Sequence, residues 1–472
     1  MKSFNPHPID EIINNIENGT YDKVLEDIYF HGRIGQSGVS LDYQKTRYVK
    51  ALQAFENEFG KECVGIFSAP GRTEIGGNHT DHQHGQVIAA SVNLDMIAVV
   101  AKRQDDIIKI VSKGHDTVEL SAKDIDWNIL SGTSASLVMG MLEGFVSRNY
   151  AVGGFNAYIT SDVPSGLGLS SSAAYETLIG TILSGVYNDM NISPVEIGVI
   201  GRYAENVFFG KPCGLMDQLA CSVGGLIHID FANPDNPKVE KIGREGQVEK
   251  VDEAPRQGKV NKVEEACEQG KSDNIIKEGF DFSRHGYHIC IVDTGASHEN
   301  MTDEYAAIPG EMKAVAEYFG KEVLRDVAIE DVVENMKEIR ARFGDRSLLR
   351  TMHFLGENER VGKQVGYLKK DDIKGFLEMV KASGDSSYKY LQNVYSSSNI
   401  CKQEISVALC MSEMLLNGRG VVRVHGGGFA GTIQAYVRSE ISEYYKEQMN
   451  AMYKKDACQI VSIREQGGVR VI

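Results

Sequence analysis

Long hydrophobic runs and paired cysteines are both missing from this chain of 472 residues. No stretch approaches the ~18 consecutive apolar residues of a membrane-spanning helix, and the polar N-terminus lacks the apolar core of a secretory signal. The eight cysteines form no CxxC pair, which excludes a zinc ribbon and favours reduced thiols over a disulfide framework. We therefore expect a cytoplasmic protein with no membrane partner.

Positive charge is also in short supply. The chain has 50 Lys and Arg against 65 Asp and Glu, a net charge of −15, and no run of five basic residues. Phosphate backbones repel so acidic a chain, so we expect no nucleic-acid partner. We expect instead a monomer that binds small molecules.

The composition that remains is that of an ordinary globular protein, with 42% hydrophobic and 24% charged residues. The length predicts two or three domains. Two amphipathic helical stripes open the chain, formed by Ile9, Ile12, Ile13 and Ile16 and by Tyr48, Leu52, Phe55 and Phe59. Short apolar runs from about Val64 predict strands, and helical segments then alternate with them, which indicates an α+β fold.

Residues 237–279 interrupt this pattern with a charged segment that is nearly free of aromatic residues. From Gly246 the segment GQVEKVDEAPRQ is followed at Gly258 by GKVNKVEEACEQ, a repeat too brief for a solenoid. Its low hydrophobicity predicts a surface insertion. The predicted organisation is a helical extension (1–60), a first lobe (61–236), the insertion (237–279) and a second lobe (280–472).

Four segments contain residues that could bind a ligand or take part in catalysis. The first is SAPGRTEIGGNHTDHQHG, residues 68–85. Its His79, Asp81, His82 and His84 are of the types that bind zinc. The loop is rich in glycine and has no HExxH frame, which disfavours a metal site, and a polar turn is the alternative when the loop is considered by itself.

The second segment, VPSGLGLSSSAAYE (163–176), places two glycines and three serines before a predicted helix. Free N–H groups at a helix start can bind an anion, although a plain helix cap explains the pattern equally well. No Gly-Lys follows the glycines, so this is not a Walker A loop.

The third segment, residues 204–225, holds Asp217 after a Pro-Cys-Gly turn. A carboxylate before an apolar run is either hydrogen-bonded scaffold or a working base. Glu205, twelve residues earlier, fits a solvated helix face equally well.

The fourth segment, RVHGGGFAGTIQAYV (423–437), contains GxGxxG, but the alternation in TIQAYV predicts a strand where a dinucleotide-binding fold needs a helix. We therefore exclude a dinucleotide fold.

In this order and spacing, the four segments resemble the galactokinases of the GHMP small-molecule kinase superfamily, from about Cys63 to the C-terminus. PGRTEIGGNHTDH is similar to the sugar signature PGRxNxIGEHxDY. PSGLGLSSSAA, PCGLMDQ and HGGGFAG are similar to the phosphate loop, the catalytic-aspartate motif and the third glycine motif. The resemblance implies a two-lobed GHMP fold whose cleft binds ATP, Mg²⁺ and a sugar, and an enzyme that phosphorylates the anomeric hydroxyl of galactose.

The resemblance also implies a role for each site residue. Asp217 is the expected base, with Arg72 beside it to keep it ionised and to stabilise charge on the transferring phosphate. The phosphates are expected against Gly166, Gly168, Ser170, Ser171 and Ser172. Mg²⁺, which prefers oxygen ligands, is expected at Ser172 and Glu205. The expected sugar contacts are Asn78, His79, Asp81, the backbone at Gly214, and Tyr305.

Three residues depart from the signature. Glu74 replaces its asparagine, His82 replaces its last tyrosine, and Asn78 replaces the glutamate that the family places near the sugar 6-hydroxyl. Asparagine can still donate and accept a hydrogen bond, but the pocket loses a negative charge there. A related kinase that acts on a uronic acid such as galacturonate is therefore one alternative. A non-catalytic sugar sensor of the same fold is another, disfavoured by the intact phosphate loop and Asp217.

Overall fold

The computed structural model describes residues 4–30, 40–164, 166–243, 247–251, 279–296 and 301–472. Within these ranges the chain forms two β-sheets, each packed against helices. The larger sheet contains β1 (His7–Pro8), β2 (Cys63–Gly76), β3 (Gln86–Lys102), β4 (Ile107–Ser112), β5 (Val118–Ser121), β6 (Phe155–Ser161), β7 (Leu226–Asp230), β8 (Lys238–Ile242), β9 (Val248–Lys250) and β14 (Val469–Arg470).

The long strand β3 organises this sheet. The strand order is β5-β4-β6-β3-β7-β8-β9, and β2 also pairs along β3. Almost every residue of β3 is buried, which explains why its sequence is a nearly continuous apolar run. The two apolar runs QVIAASV and MIAVVAK, separated only by Asn93, Leu94 and Asp95, are therefore one strand.

The pairing of β2 with β3 shifts register between Pro70 and Arg72 and again between Glu74 and Gly76. Irregularities of this kind bend a strand and redirect its side chains. Arg72 and Glu74 lie between the two shifts, two residues apart. Both side chains line one pocket, described below.

In the part of the first lobe that the structure describes, seven α-helices pack around the sheet. They are α1 (Ile9–Glu17), α2 (Asp22–Tyr29), α3 (Leu41–Phe59), α4 (Ser134–Val146), α5 (Ser171–Tyr187), α6 (Pro194–Tyr203) and α7 (Met216–Val223). The predicted stripe of α3 is confirmed, since Tyr48, Leu52 and Phe55 are fully buried. Helix α5 is buried on nearly all sides, which places the phosphate loop that precedes it at the edge of the core.

The smaller sheet belongs to the second lobe and is wholly antiparallel, in the order β11-β12-β10-β13. Its strands are β10 (Tyr287–Asp293), β11 (Gly420–His425), β12 (Thr432–Arg438) and β13 (Cys458–Val461). The GGGFAG segment is the turn between β11 and β12, so the exclusion of a dinucleotide fold is confirmed. The lobe's helices are α8 (Thr302–Tyr318), α9 (Ile329–Glu334), α10 (Met336–Phe343), α11 (Asp345–Lys369), α12 (Ile373–Ser386), α13 (Glu404–Leu416) and α14 (Ser442–Met452).

Two stretches do not follow the predicted lobe boundaries. Strands β8 and β9 lie inside the segment predicted as an insertion, yet they extend the first sheet. The C-terminus, assigned to the second lobe, returns to the first one, where β14 pairs with β2. Most of the twelve-residue repeat, residues 252–278, lies outside the described residues, so its placement on the surface stays a prediction.

Candidate active site

Arg72 and Asp217 form a two-pronged ion pair at the junction of β2 and α7. Arg72 Nε donates to Asp217 Oδ1 at 2.7 Å, and Nη2 donates to Oδ2 at 2.6 Å. Burial by itself would raise the pKa of the Asp217 carboxyl, but Arg72 and a hydrogen bond from Ser170 outweigh it and hold that pKa below its ordinary value. Asp217 is therefore ionised at neutral pH, as a base that accepts a proton must be.

The phosphate loop reaches this pair from the opposite side. Ser170, with a φ of 52°, turns the chain into α5, and its hydroxyl donates to Asp217. Gly168 has a φ of 63°, and an added Cβ would meet the Thr432 hydroxyl at 3.0 Å, so a larger residue is excluded there. Because the first N–H groups of a helix have no partner inside it, the loop and the start of α5 are suited to bind phosphate next to Asp217.

A second group of polar side chains lies at the first turn of α5. Ser172 Oγ donates to Glu205 Oε1 at 3.0 Å, and Lys211 Nζ lies 3.1 Å from the same carboxylate oxygen. Gln218 Nε2 donates to Glu205 Oε2 at 2.7 Å and to Glu176 Oε2 at 3.1 Å. The Ser172 hydroxyl and the Glu205 carboxylate are hard oxygen donors beside the phosphate loop, so the donor set fits Mg²⁺.

A pocket of about 560 Å³ opens over the ion pair. Its wall includes the ion pair together with His79, Asp81, Gly214 and Tyr305, four of the five residues predicted to contact the sugar. A Cβ on Gly214 would lie 2.0 Å from Asp81 Oδ2, so glycine is required for this approach. Burial raises the pKa of Asp81, an effect that His79 partly opposes.

Residues of the second lobe close this pocket. His79 Nε2 lies 2.9 Å from the carbonyl of Gly427, and Tyr305 Oη donates to the carbonyl of Gly428 at 2.7 Å. Both carbonyls belong to the third glycine motif, between β11 and β12. The motif therefore shapes the pocket by its backbone, and the sugar signature of the first lobe is bound directly to the second lobe.

Asn78 is the one predicted sugar residue that the structure places elsewhere. Its side chain is fully buried and is not part of the pocket wall. Its Nδ2 donates to Glu74 Oε1 at 3.1 Å and to the Gly426 carbonyl at 2.7 Å, and its Oδ1 accepts from Asn393 Nδ2 at 2.9 Å. The prediction that Asn78 faces the sugar is wrong, because protein groups already occupy its donor and its acceptor.

Glu74 lies in the pocket wall instead, with 3% of its surface exposed. Its carboxylate pairs with Arg423, which is fully buried. The amide and the carboxylate of the family signature have therefore exchanged positions in this chain, and they remain hydrogen-bonded to each other. The replacement of the family glutamate by Asn78 therefore does not remove the negative charge from the pocket, because Glu74 supplies a carboxylate there.

Sequence reasoning missed the support that α11 gives to the signature loop. Glu357 Oε1 accepts from the backbone N–H groups of Gly77 at 3.3 Å and Asn78 at 3.4 Å. His353 Nε2 lies 3.0 Å from the Asn78 carbonyl. Both side chains are fully buried, and nothing in the local sequence of a long polar helix distinguishes them from packing residues.

A larger cavity of about 830 Å³ lies on the other side of the phosphate loop. Ser171, Ser172 and Tyr175 of α5 line it, together with residues of α3 and β6. The start of α5 therefore lines a cavity large enough for a second ligand, and Ser170, one residue before it, contacts Asp217 in the wall of the smaller pocket.

The described ranges contain neither a cluster of metal ligands nor a membrane-spanning helix. They hold no group of three or more His, Cys, Asp or Glu side chains arranged around a metal ion, so the histidines of the signature loop form no zinc-type cluster there. Among the described helices, none combines the length and the apolar character needed to cross a membrane.

Comparison with known proteins agrees with this architecture. Residues 53–102 match the family model of the galactokinase galactose-binding signature, and residues 136–225 match that of the GHMP kinase N-terminal domain. The chain is 29% identical over 407 residues to a galactokinase of Glaesserella parasuis serovar 5, covering 85% of this chain and 92% of the relative. It is 29% identical over 411 residues to a galactokinase of Actinobacillus pleuropneumoniae, covering 86% and 93%.

Among solved structures, the chain superimposes on Lactococcus lactis galactokinase complexed with galactose. The TM-score is 0.70 at 20% identity, and the match covers 90% of this chain and all of the other. Methanococcus jannaschii mevalonate kinase gives a TM-score of 0.53 at 17% identity, covering 84% and 97%. These likenesses support the fold.

The two lobes, the glycine-rich loop at the start of α5 and the GHMP domain match define the fold of the GHMP small-molecule kinases, which confirms the predicted fold. Within that class the chain is similar to the galactokinases, both in its signature segment and along most of the length of the curated relatives.

Proposed function

We propose that this protein is a galactokinase that transfers the terminal phosphate of ATP to the anomeric hydroxyl of galactose, giving galactose 1-phosphate. The observation that supports it most directly is the ionised Asp217, held by Arg72 at the junction of the phosphate loop and a pocket whose wall carries the galactose-binding signature.

The chemistry follows from these residues. Asp217 accepts the proton of the sugar hydroxyl as that oxygen attacks phosphorus. Arg72 donates two hydrogen bonds to Asp217 and one to the Gly168 carbonyl, so it fixes the base relative to the phosphate loop and supplies positive charge where negative charge develops. Binding both reactants on rigid elements removes much of the entropic cost of their encounter.

We assign Mg²⁺ to Ser172 and Glu205, where it would neutralise charge on the ATP phosphates. Lys211 and Gln218 contact Glu205 from the protein side and keep its buried carboxylate oriented. Gly166, Gly168, Ser170 and Ser171 are assigned to the phosphates.

For the sugar we assign His79, Asp81, the backbone at Gly214, and Tyr305, which all line the pocket, and we add Glu74 in place of Asn78. With Glu74, Asp81 and Asp217 the pocket wall carries three carboxylates. Such a wall disfavours a substrate with a carboxylate of its own, so the position of Asn78 no longer supports a uronic acid.

We further propose that the protein works in the cytoplasm as a monomer. The seven cysteines within the described residues are all free, which supports a reducing compartment. Size-exclusion chromatography with light scattering tests the monomer directly.

The test of the proposed function is a coupled ADP-release assay over a panel of monosaccharides and their uronic acids. We expect kcat/KM for galactose to exceed that for glucose, mannose and galacturonate at least tenfold. Turnover of galacturonate above that of galactose would assign the enzyme to uronic acids. Galactose binding without ADP release from any sugar would make the protein a sensor.

A further inference from the structure

The phosphate loop is held at both of its ends. At its exit, Arg72 N donates to the Leu169 carbonyl at 3.1 Å, and the Arg72 guanidinium contacts the Gly168 carbonyl. At its entry, Asp162 directly follows β6, and its backbone N–H donates to the carbonyl of Asp95 at 2.8 Å. The C-terminal end of the loop is held by Arg72, which the proposed function already uses. The N-terminal end, at Asp162, has no part in the proposed function.

Two side chains of α3 hold the Asp162 carboxylate. Tyr43 Oη donates to Asp162 Oδ1 at 3.0 Å, and Arg47 Nη1 lies 3.1 Å from Asp162 Oδ2. Both carboxylate oxygens therefore have a partner on one helix. Tyr43 and Arg47 lie in the first half of α3 and precede residue 53, where the match to the galactokinase signature begins.

The Arg47 side chain is held in place by contacts other than the one with Asp162. Its side chain is 6% exposed, and it donates to Asp95 Oδ1 at 2.6 Å and to the Asp95 carbonyl at 2.9 Å. Asp95 is fully buried and also accepts from Arg464 at 2.8 Å and from Tyr29 at 2.7 Å. The entry of the phosphate loop is thus anchored to a buried network that joins both ends of the chain.

These residues also border the cavity behind the loop. Tyr43, Arg47 and Asp162 line the same 830 Å³ cavity as Ser171 and Ser172. The anchor at the entry of the loop and the start of α5 are therefore walls of one cavity.

We infer that Tyr43 and Arg47 are positioning residues, which hold the entry of the phosphate loop through Asp162 and thereby set the affinity for the nucleotide triphosphate. The inference rests on the proposed function only in that the loop binds ATP. A loop held in its binding conformation loses less entropy when the nucleotide binds, so loosening the entry weakens binding without touching the sugar pocket.

The test compares Tyr43→Phe with the parent by calorimetric titration of a non-hydrolysable ATP analogue with Mg²⁺, and by steady-state kinetics. Phenylalanine keeps the half-exposed ring and removes only the hydroxyl that binds Asp162. We expect Kd for the analogue and KM for ATP to rise three- to tenfold, with KM for galactose within twofold. Asp162→Asn, which removes the charge facing Arg47, should act in the same direction.

The matched control is Tyr48→Phe. Tyr48 lies on the same helix, but its hydroxyl contacts that of Tyr29 at 2.9 Å, within the buried network. We expect this variant to lower Tm while Kd for the analogue stays within twofold. Equal losses of affinity in both tyrosine variants, or none in Tyr43→Phe and Asp162→Asn, would overturn the inference.

The outcomes for the two proposals are distinguishable. A parent that binds the ATP analogue but phosphorylates no sugar contradicts the proposed function, and the affinities of the variants still decide the inference. A parent that binds no nucleotide overturns both.

Discussion

The guanidinium of Arg72 and the carboxylate of Asp217 are joined by two hydrogen bonds, of 2.7 and 2.6 Å. Such two-pronged pairs fix orientation as well as charge. Because Arg72 belongs to a strand and Asp217 to a helix, the pair fastens α7 to the central sheet. The carboxylate that we propose as the base is therefore held in place by the protein itself.

Asp217→Asn should lower kcat by about 10²–10⁴-fold, the usual loss when a general base is removed. Asparagine keeps the shape and can still accept from Arg72, but it cannot take up the proton. Galactose binding, measured by calorimetry, should stay within a few-fold of the parent. The matched control is Asp235→Asn, since Asp235 is exposed beyond the pocket rim and its loss should leave kcat unchanged. If Asp217→Asn kept a kcat close to that of the parent, Asp217 would have a structural role and would not be the base.

Asn78→Glu should destabilise the fold and not improve galactose binding. The new carboxylate would lie beside buried Glu74, where two negative charges repel and lack water. Exchanging both residues, Glu74→Asn with Asn78→Glu, restores one amide and one carboxylate. Urea unfolding of the two single variants and the double variant should show a favourable coupling of about 1–3 kcal/mol. Simple additivity would mean that the two side chains act independently.

Glu357 should make stability sensitive to acid. Burial would raise its pKa, but Arg360, His353 and Arg423 outweigh this and lower the pKa to about 2, below the ordinary 4.5. The unfolded chain then binds more protons at Glu357 between pH 2 and 4.5, so its contribution, roughly 3 kcal/mol, is present above pH 4.5 and is lost as pH falls toward 2.

Urea unfolding of the parent and of Glu357→Gln across pH 2.5–6 checks this contribution. The variant should lose less stability than the parent on acidification. Glu359→Gln, on the exposed face of the same helix, is the control and should follow the parent. If the free energy of unfolding depended on pH in the same way for the parent and for Glu357→Gln, the lowered pKa of Glu357 would be excluded.

Replacing residues 252–278 by a short Gly/Ser linker should leave kcat and KM within about twofold of the parent. The segment is charged and poor in aromatic residues, and a change in surface-loop length alters closure entropy only slightly. Val251 N donates to the Val239 carbonyl and Gly279 pairs with Gly243, so the linker joins two points that lie beside Val239 and Gly243. The wider deletion 243–271 would also remove β9 from the sheet and should lower Tm. Loss of activity in the linker variant would show that the repeat contributes to the site.

The sequence by itself determined the local features of this protein. A serine-rich helix start after glycines and an aspartate after a Pro-Cys-Gly turn singled out the segments of Ser170 and Asp217, because such turns depend on short-range backbone geometry. The roles of these residues, and Arg72 itself, came only from the resemblance to the galactokinases. The helix stripes of the N-terminus and the strand after GGGFAG were predictable for the same reason, since periodicity reflects which face is buried.

Only the tertiary structure decided which of the signature residues faces the pocket. Asn78 is turned away by Glu357, 279 residues further along the chain, and by Asn393, while Glu74 is held in the pocket wall by Arg423. Two further contacts are equally non-local. Arg464 contacts Asp95, which lies 369 residues earlier in the chain, and Tyr43 of α3 contacts Asp162. Such contacts depend on how the lobes pack against each other, and no spacing within a motif encodes that packing.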